Sequence, residues 1–437
     1  MNMFKVDINS VKIISGKKIK FVILGALLTI IIGAYVTSAS SNHPKVDDKD
    51  DLGVDVAALK NFGGTKVYIV EYKPGLSVDE TTEMLMADYG LGETHRYYSA
   101  LKGAALLVPD GMTLVKLKSD KRVSKVTKDK EVKLIPINEA KGNGKPGSTS
   151  TQPAQTIPTG LKRIGGSYEG AGVIVAVLDT GIDKYHPDLV ANINITLTKD
   201  CVGDTISLTN SGDDGNGHGS HVAGTIAAVN NSIGSLGVAN KVNVASVRVL
   251  NRQGKGTWAG VICGIDYVTS QKDVIKVASM SLGGTGSDTD SSLRRAINAS
   301  VEAGVTYTVA AGNEYDNAAN HVPAAYDAVI TVSAFYNGDG TSSTDKGFPS
   351  WSNYGQDVDI AAPGVNIYST YKNGGYNTLS GTSMATPHVA AAAALYIKTH
   401  PGATPAEVRS ALIAAGENSY NGQGGTHLEP LLNIRTI

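Results

Sequence analysis

The sequence predicts an α/β protein: a three-layer, mostly parallel sheet with helices on both faces at residues 154–437, preceded by a small α+β unit at residues 66–137. Three observations carry this expectation. Through the C-terminal two-thirds, near-continuous β-branched runs recur with amphipathic stretches between them, which is how strands buried on both faces read. Upstream, strand-like alternation borders one well-capped helical stretch. Between the two, residues 138–153 are dominated by Lys, Gly, Asn, Pro, Ser, Thr and Gln, a composition that cannot bury itself and reads as an exposed, cleavable linker.

Composition narrows the class. With 437 residues, 50 glycines and 18% charged residues, the chain reads as a turn-rich globular enzyme of two or three domains. Lys and Arg outnumber Asp and Glu 22 to 17 before Ala154 and are outnumbered 17 to 23 from there on, so neither half is basic enough to imply a nucleic-acid partner. At the N-terminus, Lys5, Lys12, Lys17, Lys18 and Lys20 precede a 16-residue apolar run, 21–36, that ends in Thr37-Ser38-Ala39-Ser40. This reads as a secretory signal peptide over residues 1–39, with an uncleaved membrane anchor as the alternative. Either way the bulk of the chain is exported. Cys201 and Cys263 allow one bridge in an oxidising setting, and two unpaired buried thiols are the other reading.

Residues 40–65 are a polar spacer. Strand-like alternation over 66–72 puts Val67 and Ile69 on one side, and Ser77 with Glu80 reads as a capping box for a helix ended by Gly90 or Gly92. Two further strands are expected near 104–108 and 123–135. The basic run 116–133 lacks interleaved aromatics and reads as a solvated face. Beyond the linker, strands are expected at 173–178, 244–249, 277–280, 305–310, 329–333 and 358–361, with helices at 220–228, 257–269 and 291–303. In such sheets the site lies beyond the carboxyl ends of the strands, where Asp179 and Asn313 fall.

Three segments concentrate the chemistry. In Leu379-Ser380-Gly381-Thr382-Ser383-Met384-Ala385, a serine precedes an alanine-rich helical run, where unpaired N–H groups and the helix dipole favour developing negative charge. Asp179, in Leu178-Asp179-Thr180-Gly181, ends a buried strand and is placed to accept from an imidazole. His218, in Asn216-Gly217-His218-Gly219-Ser220-His221, opens a helix between glycines that allow close approach, with His221 as a competitor for the base. Serine becomes a good nucleophile only when a base takes its proton and a third group fixes that base.

Together these segments resemble the signatures of the subtilisin-like serine proteases, the subtilase family, over about residues 154–437. The resemblance implies a subtilisin-like fold and a secreted serine endopeptidase that hydrolyses polypeptides through an acyl-enzyme. Asp179 would be the orienter, His218 the base and Ser383 the nucleophile. Asn313, in Ala310-Ala311-Gly312-Asn313, would donate to the oxyanion. Ser281-Leu282-Gly283-Gly284 would pair with an extended substrate, with Ala311 and Gly312 in the same cleft. Residues 66–137 resemble the family's ferredoxin-like propeptide, an intramolecular inhibitor and folding aid released by self-cleavage between Leu134 and Ile157. The mature enzyme would be a monomer. A structural Ca²⁺ site is implied at the side chains of Gln155, Asp188 and Asn231 and the carbonyls of Val229, Ile233 and Ser235, six oxygens that suit the ion. Glu314 and His321 fall near the pocket for the residue before the cut, and Glu314 would favour a basic one.

Departures from the family pattern are Ser220 for threonine, Asn240 for proline and Thr159 for an aromatic, and none removes a catalytic group. A catalytically silent binding or scaffold protein of the same family is the alternative, and it requires the loss of a triad or oxyanion residue. An esterase would need a Gly-x-Ser-x-Gly elbow and the order Ser, Asp, His, neither of which the chain shows.

Overall fold

A computed structural model of the chain describes residues 65–135, 138–139, 152–202, 214–287, 291–418, 420 and 425–437. The N-terminal apolar run, the spacer as far as residue 64 and most of the linker lie outside the described residues. Among the described residues, no helix is long and apolar enough to cross a membrane.

The first elements are β1 (Lys66–Tyr72), α1 (Val78–Tyr89), β2 (Gly92–Tyr97), β3 (Gly103–Val108), α2 (Gly111–Lys118) and β4 (Val123–Lys128). Their strands form an antiparallel sheet in the order β2-β3-β1-β4. Ser77 Oγ accepts the Glu80 N–H at 3.3 Å, and Gly90 closes α1 in the left-handed conformation at φ 63°. The return bond from Ser77 N–H to the Glu80 side chain is not made, so only half of the expected capping box forms. Period-two alternation decides both faces of this sheet. Val70 and Tyr72 pack with Leu85 and Leu117 against the unit's own helices. Ile69, Tyr97 and Ala105 face the other way and share a core with Trp258 and Ile262.

The expected strand at 123–135 is two strands. Asp129 and Lys130 interrupt it, and β5 (Glu131–Leu134) leaves the first sheet, followed by β6 (Asn138–Glu139). The basic run is therefore not one solvated face, since helix α2 takes its first part and β5 its last.

After α3 (Thr159–Ile164) come β7 (Ile174–Asp179), β8 (Lys199–Asp200), α4 (His218–Ala227), β9 (Asn243–Arg248), β10 (Lys255–Thr257) and α5 (Trp258–Ser270). Next are β11 (Ile275–Met280), β12 (Leu282–Thr285), α6 (Ser292–Glu302), β13 (Thr306–Ala310), β14 (His321–Val322) and β15 (Ile330–Phe335). The chain ends with β16 (Ile360–Pro363), β17 (Ile367–Tyr371), β18 (Gly375–Ser380), α7 (Thr382–Thr399) and α8 (Pro405–Ala415). Seven strands form a parallel sheet in the order β16-β15-β13-β11-β7-β9-β8. Along β7, Val175 and Val177 join the core beneath α4 and α7, while Ala176 and Leu178 join the core beneath α5 and α6. The sheet is thus buried on both faces, as its apolar runs require. Cys201 and Cys263 are joined, tying the segment after β8 to α5 with a Cα–Cα distance of 5.9 Å.

Carboxylates from the N-terminal unit meet the starts of two of these helices. Asp129 Oδ1 accepts the Ala259 N–H of α5 at 3.0 Å, and Glu71 accepts from Ser292 Oγ at the start of α6 at 2.6 Å. Both sit where the positive end of a helix dipole favours negative charge. In return, Asp266 of α5 accepts backbone N–H groups of Tyr98, Ser99 and Ala100 at 2.7–2.8 Å.

Candidate active site

Strand β7 ends on Asp179, and α4 begins on His218. Gly219 lets the two elements touch, since a Cβ there would lie 2.0 Å from the Gly181 carbonyl oxygen. Gly217 takes φ 107° at the helix start, a conformation L residues rarely adopt. With the approach secured, His218 Nδ1–H donates to Asp179 Oδ1 at 2.8 Å, with Oδ2 at 3.0 Å. Both side chains are fully buried. That bond fixes the tautomer and leaves the His218 Nε2 lone pair to accept a proton, and Nε2 is buried with no hydrogen-bond partner among the described residues.

Ser383 is the second residue of α7, which packs against α4. Its hydroxyl donates to the Ser281 carbonyl at 3.3 Å, and Ser281 Oγ donates back to the Ser383 carbonyl at 2.9 Å. In this arrangement the serine is not hydrogen-bonded to the imidazole. Thr382, its neighbour, donates from N–H and Oγ–H to Asn313 Oδ1 at 2.9 and 2.8 Å. The Asn313 amide is thereby oriented with Nδ2 as its donor. His221 does not compete for the base role. Its Nε2–H donates to the Ile367 carbonyl at 2.9 Å, and burial pushes its pKa down to about 3.

The sequence gives no distinctive sign of one buried carboxylate beside His218. Asp214 is a buried carboxylate that accepts from Thr180 Oγ1 at 2.9 Å, Gly217 N–H at 2.7 Å, and Ser220 N–H and Oγ at 2.9 and 2.8 Å. It ties the loop after Asp179 to the first turn of α4, and burial raises its pKa. Ser220, the departure from threonine, keeps the hydroxyl this knot uses. The available signal was the Asp-Asp-Gly-Asn-Gly run just ahead of His218, which reads equally well as a turn.

The cleft beside Ser383 has two backbone edges, β12 and β10, and β5 lies antiparallel between them. Leu134 faces Leu282 and Lys133 faces Gly283 on one side, while Lys133 faces Lys255 on the other. The sequence reading found the Ser281–Gly284 edge and missed Lys255–Thr257. Downstream, β6 pairs with Leu379 and Ser380 of β18. A pocket of about 310 Å³ opens here, lined by Ile135, Gly283, Ala311 and Gly312, with Glu314 and His321 also in its wall. Glu314 Oε2 accepts from Asn313 N–H at 2.7 Å and Asn353 Nδ2 at 2.9 Å, and His321 Nε2 lies 3.1 Å from Asp316 Oδ2.

The six residues assigned to calcium converge. Asp188 accepts from Asn231 Nδ2 at 2.9 Å and Ser235 N–H at 2.8 Å, and burial pushes its carboxyl up to about 6. Gln155 Nε2 donates to the Val229 and Ser235 carbonyls at 2.8 and 3.0 Å, and the Ile233 N–H donates to Asn231 Oδ1 at 2.7 Å. Turning the Gln155 amide by half a rotation would present oxygen where nitrogen now points, whereas the Asn231 oxygen is already held by the Ile233 N–H. The buried Asp188 carboxylate and the Val229 and Ser235 carbonyls beside Gln155 are oxygen donors of the kind a hard cation takes.

Residues 170–428 match the family model described as the subtilase family. The chain belongs to the subtilase family. This subtilase is a serine-type endopeptidase. It is 37% identical to subtilisin DY of Bacillus licheniformis over 63% of this chain and 98% of that one. It is also 36% identical to the extracellular serine proteinase of Thermus sp. (strain Rt41A), over 88% of this chain and 93% of the other. Among solved structures it is similar to that of a cold adapted subtilisin-like serine proteinase, with a TM-score of 0.56 and 35% identity over 64% of this chain and 98% of that chain.

Proposed function

We propose that this subtilase is a secreted endopeptidase made as a self-processing zymogen, with Asp179, His218 and Ser383 as its triad. His218 would take the hydroxyl proton as Ser383 Oγ attacks, and Asp179 would steady the imidazolium that results. Asn313 Nδ2 and the Ser383 N–H would hold the oxyanion. Residues 66–137 would act as the inhibitory propeptide, residues 138–153 as the cleavable linker and residues 1–39 as the export signal. Ca²⁺, when bound by the Gln155–Asp188–Asn231 cluster, would supply the positive charge that the buried Asp188 carboxylate lacks.

The observation that carries this reading is β5, which belongs to the N-terminal unit yet is seated as a substrate would be, between β10 and β12. The βαββαβ order and antiparallel pairing of that unit support the ferredoxin-like comparison. Support for export comes from the N-terminal basic and apolar run, from the bridged cysteines and from the Thermus relative described as extracellular. The test is to express the full chain in calcium buffer and follow its mass. The parent chain should shorten by itself and then hydrolyse casein, while Ser383→Ala stays full length and inert. Self-shortening of Ser383→Ala at the parent rate would refute the assignment.

A further inference from the structure

Helix α4 starts without a cap of its own. Its N-cap is Gly217, which has no side chain to accept from the first turn. Side chains of the loops before it take that place. Asn216 Oδ1 accepts the His218 N–H at 3.2 Å, and Thr180 Oγ1 accepts the Gly219 N–H at 3.0 Å. Asp214 Oδ2 takes the Ser220 N–H at 2.9 Å, the bond an N-cap side chain ordinarily makes. The same carboxylate accepts from the Asn216 N–H at 2.9 Å, besides the Gly217 N–H and the Thr180 and Ser220 hydroxyls.

These partners fix its charge state. The backbone N–H groups can only donate. Both hydroxyls already accept, Thr180 Oγ1 from the Gly219 N–H and Ser220 Oγ from the Asp183 N–H at 2.9 Å, so each turns its own proton toward Asp214. A proton on Asp214 would therefore meet only donors. Hydrogen bonds to the charged form favour that form, and here they oppose the burial that favours the neutral acid.

His218 is the first residue of α4, where the positive end of the helix dipole disfavours a second positive charge. The imidazolium formed when Ser383 loses its proton is such a charge. Asp179 meets it at Nδ1, and Asp214 holds the residues on either side of it. Thr180 links the two carboxylates, because its N–H also donates to Asp179 Oδ1 at 2.7 Å. Other charged or titratable groups on the elements packed here are engaged elsewhere. Lys372 Nζ donates to the Gly215 carbonyl, and Asp183 Oδ2 accepts from the Gly374 N–H. His221 and His388 are bonded to the Ile367 and Met384 carbonyls, and Arg248, opposite Asp179 on β9, is paired with Asp200.

We propose that Asp214 is a positioning residue for the reaction: its ionised carboxylate offsets the dipole of α4 at His218 and, through Thr180, keeps Asp179 in line with the ring. The proposal rests on the triad reading. It differs from a purely structural role in one respect. If Asp214 only packs the loop, a neutral group of the same shape serves as well. If its charge matters, removing it makes the imidazolium costlier, and His218 gives up its proton at lower pH.

The test is the pH dependence of kcat/KM for a peptide p-nitroanilide across about pH 5 to 9, with the full chain activated in calcium buffer. Asp214→Asn keeps the shape and loses the charge. Its acid limb should move down by roughly half a pH unit, short of the roughly 1–3 units that a charge in direct contact gives. With KM held, kcat should fall about tenfold, far from the roughly 10⁴ that loss of the carboxylate touching the imidazole costs. Ser220→Ala loosens the same knot but keeps the charge, so its acid limb should stay where it is. An Asp214→Asn limb that does not move overturns the proposal, as does a Ser220→Ala limb that moves as far. Should Asp214→Asn not fold, Asp214→Glu decides: with the charge kept the limb should hold, and a limb that moves overturns the proposal. His218→Ala separates the two levels. If it keeps the parent's activity the triad reading fails; if it is inert while the Asp214→Asn limb stays in place, the Asp214 proposal fails alone.

Discussion

Asn313 is held by its oxygen, and the proposed oxyanion role falls to its nitrogen. Thr382 donates twice to Oδ1, which leaves the amide no freedom to turn that group toward the cleft. Asn313→Leu should therefore lower kcat by about 10²–10³ with KM nearly constant, a loss of about 2.7–4 kcal/mol whose size was established on subtilisin, a relative, and is carried over here. Asn313→Asp keeps the acceptor for Thr382 and loses the donor, so steady-state kinetics should show at least as deep a fall in kcat. A variant that raised KM alone would mark the residue as a binding group instead. Individual residues were legible unequally. Asp179, His218 and Ser383 stand in glycine-rich contexts that few other functions require, and the sequence pointed to each. Asp214 and the Lys255–Thr257 edge were not, because a turn carboxylate and a short polar strand look alike whether they support a site or only a loop. The Ser383 hydroxyl's choice of the Ser281 carbonyl as its acceptor lies below what residue order encodes.

Helix α7 carries Ser383 on its first turn and buries its run of alanines, Ala390 to Ala394, against β11, β13 and β15. His388 lies within that buried length. Its Nδ1–H donates to the Met384 carbonyl at 2.9 Å, Nε2 has no partner among the described residues, and burial lowers its pKa from 6.5 to about 4. The unfolded chain thus takes up this proton first. Stability is complete above pH 6.5 and is lost as pH falls toward 4, by about 1.4 kcal/mol per pH unit for each such histidine. His221, lowered for the same reason, adds a second. In a Ser383→Ala background, His388→Gln should flatten the fall of the urea midpoint between pH 6.5 and 4.5 by about one proton, whatever it does to stability at neutral pH. An unchanged slope would place the imidazole's titration elsewhere. Elements themselves were read well where periodicity was strong. Six of the sheet's seven strands fall within two residues of expectation because their β-branched runs are bounded by turns on both sides, while the two-residue β8 carries no such run and was not expected. In the N-terminal unit, β2 is not legible because Glu93, Thr94, His95 and Arg96 offer no alternation, and α2 is not because its lysines read as part of a charged face.

At the scale of the whole molecule, two cores on either side of one sheet share the load, and the N-terminal unit contributes Ile69, Tyr97 and Ala105 to the second. Composition sets the expected boundary at 138–153 but could not say that β5 would pair with β10 and β12, since partners some 120 and 150 residues away leave no local trace. The bridge from Cys201 to Cys263 closes 62 residues, for which the chain-entropy model gives about 4 kcal/mol. The double variant Cys201→Ser with Cys263→Ser should fold and cleave but unfold at lower denaturant, by up to that amount. The Asp188 cluster acts at the same scale, because Gln155 ties the start of the catalytic unit to the loop at 229–235. An ion bound only by the folded state at a thousand times its dissociation constant stabilises by about 4.1 kcal/mol. For a unit of this size that is a shift of roughly 10 °C in thermal midpoint. Chelation of Ser383→Ala, which cannot digest itself, should lower the midpoint by that order, and added calcium should restore it while magnesium, which prefers a smaller octahedral site, should not. Asp188→Asn should be less stable from the start and indifferent to both treatments. A midpoint that ignores chelator in the parent chain would remove calcium from the account and leave the cluster as a hydrogen-bonded clasp.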